Sequence, residues 1–187
     1  MKRGILLLAA ACVLFAACSK PAAETAAVEA ADAIDPAARG AELLAPFKSD
    51  LKQALMSGMQ EGSAAAIEVC SELAPGIDAS LSVDGVKMGR SSHKLRNPDN
   101  VAPDWLVPLI DGYASGGNEL VPQTVALDHG RTGYAEPIMV QPVCLTCHGV
   151  ELDETVAAQI AALYPEDQAT GFEAGDFRGV FWVEFQD

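Results

Sequence analysis

The chain has 187 residues, half of them hydrophobic and a fifth charged, which is room for one ordinary domain with a real core and not comfortably for two. Twelve basic against 26 acidic side chains give a formal net charge of −14. That balance excludes the basic footprint of a nucleic-acid-binding protein; it suits solubility, and it would also steer the chain toward a basic protein partner.

At the start, Met1-Lys2-Arg3 carries positive charge ahead of the apolar run Ile5 to Ala17, which is too short to span a bilayer stably and has the length of a signal-peptide core. Leu14-Phe15-Ala16-Ala17-Cys18 resembles the lipobox at which bacterial lipoproteins are cleaved and acylated, with Phe15 where an aliphatic residue is usual. Residues 1–17 are therefore expected to be a lipoprotein signal peptide and Cys18 the lipidated first residue of an exported chain. Each buried methylene of its acyl chains adds about 0.8 kcal/mol of membrane affinity. Ser19, where inner-membrane lipoproteins carry aspartate, points to a periplasmic, outer-membrane location. Cleavage leaves 10 basic against 26 acidic side chains, a formal net charge of −16. Residues 18–40 are rich in Ala and Glu with almost no large apolar side chains, and read as a flexible tether. The folded domain is expected over residues 41–187.

From Ala41, the residues Leu44, Phe47, Leu51, Leu55 and Met59 recur at three- and four-residue steps, which predicts a long helix with one buried face. Gly62-Ser63 interrupts it. Ser63 can cap a second segment in which Ala66, Cys70 and Leu73 share a face until Pro75-Gly76 stops it, so Cys70 is expected to point inward. Leu81-Ser82-Val83 and Val86-Lys87-Met88 flank Asp84-Gly85 and predict a tight hairpin. Pro103 reads as the first turn of a third helix carrying Trp105, Leu109 and Tyr113, kept short or kinked by Pro108. Tyr134 to Val143 is strand-like; Val156, Ile160 and Leu163 mark a short helix ending at Pro165; Phe181, Val183 and Phe185 share one face of a last strand. Helices flanking an antiparallel sheet make the fold class α+β.

Cys144-Leu145-Thr146-Cys147-His148 matches the attachment pattern of c-type haem, in which two thiols about one helical turn apart bond the vinyl groups and the next imidazole reaches the iron. That imidazole needs an acceptor on its other ring nitrogen, which the sequence does not identify. A thioredoxin-like pair would lie early, at a strand-to-helix turn, and a zinc site would need a second Cys or His pair nearby; neither pattern is met. One covalent haem is thus expected. Ordinary small cytochromes c carry this motif near the N-terminus, with a methionine ligand downstream. Here no Met, His or Cys follows His148, so a second protein ligand must come from Cys70, His93, His129, Met56, Met59, Met88 or Met139. Arg90 and Arg96 offer guanidinium forks suited to haem propionates, or equally to capping turns.

From about Leu43 onward the ordered motifs resemble a family of periplasmic haem c domains with a PAS-like sensor fold. The matching residues are Val69-Cys70-Ser71 with Ala74-Pro75; Gly89-Arg90-Ser91-Ser92; Leu95-Arg96-Asn97-Pro98-Asp99-Asn100; Pro103-Asp104-Trp105; Pro137-Ile138; and Cys144-Leu145-Thr146-Cys147-His148-Gly149. They continue in Tyr164-Pro165-Glu166-Asp167, Ala169-Thr170-Gly171-Phe172 and Gly175-Asp176-Phe177-Arg178-Gly179-Val180. The resemblance implies a PAS-like antiparallel sheet with flanking helices, and Cys70 as the second axial ligand of a His/Cys haem. A thiolate favours ferric iron and a low potential, and its release on reduction would open a site for a small gas. The functions this supports are a membrane-tethered electron carrier docking to a basic redox partner, or a redox or gas sensor working through a separate protein. The alternatives are a haem enzyme such as a peroxidase, using His93 or His129 as acid–base, and a purely thiol-based redox protein.

Overall fold

The computed structural model describes residues 35–186, so residues 1–17 and Cys18, with their expected roles in export and lipidation, lie outside the described residues. The first helix, α1 (Pro36–Glu61), starts within the stretch read as a tether. Asp35 accepts a hydrogen bond from the Ala37 amide and Pro36 occupies the first helical turn, a start signal that composition alone obscures. Gly40 is buried because α1 crosses the ring of Tyr134 there: an added Cβ would lie 2.3 Å from the ring. The flexible tether therefore cannot extend to Gly40.

The predicted apolar face of α1 is present, with Leu44, Phe47 and Leu51 in the core. The next helix, α2 (Ser63–Leu81), differs from expectation in three ways. Its N-cap is Gly62, with Ser63 as the first helical residue; it runs through Pro75; and Leu73 is 50% exposed while Ala66, Ile67 and Ala74 are buried. Proline inside a helix removes one hydrogen bond and crowds the preceding turn; here Ala74 and Ile77, on either side of it, pack into the core beneath α1, and that packing carries the helix on.

Asp84 and Gly85 do form a tight turn, with φ of 53° and 82°. The predicted hairpin is absent, because Leu81 ends α2 and the strand after the turn, β1 (Lys87–Ser91), pairs with the end of the chain. Helix α3 (Val107–Ala114) begins after Pro103 and Trp105 and holds Pro108 in its first turn, where proline is tolerated. Strand β2 (Gln123–Leu127) lies in a stretch with no predicted element. Strand β3 (Arg131–Met139) ends four residues before Val143, because Pro142 opens a short 3₁₀ turn. After the four-residue helix α4 (Leu145–His148) and α5 (Glu154–Leu163) comes β4 (Phe177–Gln186).

The sheet is antiparallel in the order β1-β4-β3-β2, so the last strand is inserted between the first and third. On one face, Phe181, Val183 and Phe185 pack with Leu44, Phe47 and Leu51 of α1. On the other, Val180 and Trp182 pack with Leu106, Ile110 and Tyr113 around α3. Buried Glu184 accepts hydrogen bonds from the Trp105 indole (2.8 Å) and Arg131 (2.5 Å). This is the predicted α+β, PAS-like sheet with flanking helices. Among the described residues no helix is long and apolar enough to cross a membrane.

Candidate functional site

The CxxCH segment forms one compact turn. A 3₁₀ turn (Pro142–Cys144) leads into α4, so Cys144 and Cys147 lie about one helical turn apart, both as free, half-buried thiols. Cys144 packs against Val140, Ala169 and Phe172. Cys147 packs against Ile67, Val156 and Ile160, between α2 and α5. Gly149 closes the turn by donating to the Leu145 carbonyl (2.9 Å), and a Cβ there would lie only 2.6 Å from that oxygen.

A strap of residues 167–172 holds the turn from outside. The Phe172 amide donates to the His148 carbonyl (3.0 Å) and the Gly171 amide to that of Gly149 (2.9 Å). His148 Nδ1 lies 2.6 Å from the Ala169 carbonyl. A carbonyl only accepts, so Nδ1 carries the proton and Nε2 is left with a free lone pair. Burial, reinforced by the nearby Arg178 and Arg96 charges, holds the imidazole pKa down to about 3, so the ring is neutral. The acceptor that the sequence could not name is therefore Ala169, whose backbone contribution leaves no residue-type signal.

His148, Cys144 and Cys147 line a cavity of about 250 Å³ within a recess of about 1090 Å³ that opens to solvent. The cavity itself lies just under the roughly 300–1,000 Å³ range of small-molecule and cofactor sites. Cys70 of α2 lines the same cavity, as its helical position predicts. Burial pushes its thiol pKa up, opposed by Arg90 and Arg96. None of His93, His129, Met56, Met59, Met88 or Met139 lines it. Met88 is in the main core, Met56 is exposed, His129 occupies the turn between β2 and β3, and His93 stacks on Phe177 at 5.6 Å.

Apolar walls come from Leu55, Ile67, Leu95, Ile138 and Phe181, and no carboxylate lines the cavity. Three of the chain's six arginines do: Arg90, Arg96 and Arg178. In a chain of net charge −14, that concentration makes the cavity an anion-attracting site. Arg96 is engaged with Asp167 and with the carbonyls of Cys147 and Ala169. Arg90 has no hydrogen-bond or ion-pair partner among the described residues. Arg178, to which sequence reasoning gave no role, donates through Nη1 to Ser92 Oγ (3.0 Å) and the Lys94 carbonyl (3.1 Å). Burial, with repulsion from Arg96 and Arg90, lowers its pKa to about 10. Among the described residues no three His, Cys, Asp or Glu side chains cluster as a protein-only metal site.

The model of the Tll0287-like family matches residues 22–185. Among solved structures, the crystal structure of the cyanobacterial heme-protein Tll0287 is similar, with a TM-score of 0.55 and 23% sequence identity, covering 75% of this chain and 91% of that one. No curated protein sequence matches the chain.

Proposed function

Because the chain belongs to the Tll0287-like family, matched over residues 22–185, we propose that it is a c-type cytochrome carrying one haem on Cys144 and Cys147, with His148 and Cys70 as axial ligands. The observation that carries this reading is the meeting of those four residues in one apolar cavity edged by arginines and free of carboxylates. A planar apolar macrocycle with two propionates fits such a lining, and the similar cyanobacterial protein is a heme-protein. His148 is held neutral, with Nε2 free, which is the ligating form. Arg90 and Arg178, the latter engaged only through Nη1, would receive the propionates; Arg96, also expected there, has its fork engaged by protein groups.

When bound, haem would supply a one-electron ferric/ferrous couple. The Cys70 thiolate favours the ferric side of that couple and a low potential, while the cavity walls limit water. The chain then serves as an electron carrier, tethered by lipidated Cys18 at the periplasmic face of the outer membrane, whose acidic surface docks a basic redox partner. The PAS-like sheet favours a second reading, redox or gas sensing, in which Cys70 would be the ligand given up, as a protonated thiol, when the haem is reduced. A peroxidase would need an acid–base residue over the iron, and neither His93 nor His129 lines the cavity.

The test is the ferric electron paramagnetic resonance spectrum of the haem-loaded chain and of Cys70→Ala. A low-spin thiolate signal that disappears in the variant is expected; an unchanged signal would sink the Cys70 assignment. Carbon monoxide added to the reduced protein separates the two functions: binding favours sensing, and no binding favours electron transfer.

A further inference from the structure

Arg96 differs from the other two arginines of the cavity in where its hydrogen bonds go. Its Nη2 donates to the Cys147 carbonyl (2.6 Å) and to the Ala169 carbonyl (3.3 Å), the same oxygen that accepts from His148 Nδ1. Its Nε donates to Asp167 Oδ1 (3.0 Å), and that oxygen also accepts from the Ala169 amide (3.0 Å). Every one of these contacts falls on the two segments that hold the imidazole, residues 147–148 and 167–169. The pair is also the most buried of the ion pairs among the described residues, with side-chain exposures of 13% and 7%.

We propose that Arg96 is a positioning residue for His148, acting through the Ala169 carbonyl, rather than an anchor for a haem propionate. This rests on His148 being the axial ligand. Ala169 is wholly buried with the guanidinium in place. The Cys147 carbonyl is one of the orphan acceptors at the end of α4, and Arg96 is what satisfies it. A cationic donor shares the Ala169 lone pairs with His148 Nδ1–H, which limits imidazolate character and so limits how strongly Nε2 donates to a metal. Removing the guanidinium frees the strap to shift and leaves the Nδ1–H bond without its fixed acceptor.

The test compares Arg96→Gln, Arg96→Lys and Arg39→Gln in the full haem-loaded chain. Intact mass reports haem attachment, nuclear magnetic resonance reports solvent exchange of His148 Nδ1–H, and ferric electron paramagnetic resonance reports the g-values. Both Arg96 variants are expected to exchange that proton about ten-fold faster or more, the scale set by losing a charge-assisted hydrogen bond, and to shift the g-values. Arg39→Gln removes an arginine charge outside the cavity without touching the strap and keeps the parent exchange rate. Parent-like exchange and g-values in both Arg96 variants, or equal changes in all three, would overturn the proposal. If Arg96→Gln does not fold, Arg96→Lys decides on the same readouts, since it keeps the charge but not the fork. A parent chain that takes up no haem, seen by mass before any variant is compared, would overturn the cytochrome reading itself.

Discussion

Replacing Gly149 with Ala places a Cβ 2.6 Å from the Leu145 carbonyl oxygen, at least about 0.4 Å inside the 3.0 Å that real Cβ contacts keep. That oxygen is backbone and already accepts the Gly149 amide at 2.9 Å, so it cannot swing aside. The turn must open, and opening it pulls the His148 and Gly149 carbonyls from the Phe172 and Gly171 amides. Forced overpacking of this kind costs about 1–3 kcal/mol, which for a domain this size lowers Tm by about 2–12 °C. Gly76→Ala is the comparison: it lies inside α2 with nothing within 4 Å of the added Cβ, and should gain about 0.5–1 kcal/mol, or about 1–4 °C. Thermal unfolding of the haem-loaded protein by circular dichroism, with the Soret band followed in parallel, measures both. A Gly149→Ala protein as stable as the parent, or equal losses at the two glycines, would refute the close approach on which the turn's geometry depends.

Glu184→Ala strips two hydrogen-bonded partners from a carboxylate side chain that is 8% exposed, and should cost about 3 kcal/mol, the low end for breaking a buried pair because Arg131 is 36% exposed. Glu42→Ala, which breaks the exposed pair with Arg39, should change unfolding in denaturant by no more than about 0.5 kcal/mol. Burial, with Lys94 and Arg178 nearby, lowers the His93 pKa. The unfolded chain then takes up a proton below about pH 6.5 before the folded one does; stability should be level above that pH and fall as pH drops through it, a decline that His93→Gln makes shallower in a denaturation series while the share due to buried, neutral His148 remains. Met139→Leu and His129→Ala alter groups outside the cavity and should leave the ferric spectrum of the loaded protein unchanged.

What could be read in the sequence follows how local each signal is. The apolar steps of α1, the α5 face and the strand at Phe181, Val183 and Phe185 are periodicities within one element, and the structure contains them, save that Leu163 at the end of α5 is 38% exposed. The family resemblance rested on ordered motifs, and the match over residues 22–185 bears it out. Non-local pairing was invisible: the Asp84-Gly85 turn implies two arms, yet the partner of β1 lies at the chain's other end. Pro75 reads as a stop because the packing that overrides it comes from α1. Strand β2 has only half-buried alternate residues, and with Val125 and Leu127 as its only large apolar side chains its alternation is faint. At the site, helical spacing could turn Cys70 inward, while its choice as second ligand among seven candidates came from the family resemblance. Arg178 could not be singled out, since one arginine beside a strand glycine has no distinctive pattern, and the Ala169 acceptor is backbone. Arg96 was legible as a residue but not in its contacts, which run to segments 51 and 71 residues away.

Covalent haem attachment is read most directly from the intact mass of the chain purified from cells competent in cytochrome maturation, with peptide mapping of its cysteines. One haem per chain is expected, with Cys144 and Cys147 both blocked as thioethers and Cys70 free to be alkylated once the protein is denatured. A haem-free mass, with Cys144 and Cys147 open to alkylation, would contradict it.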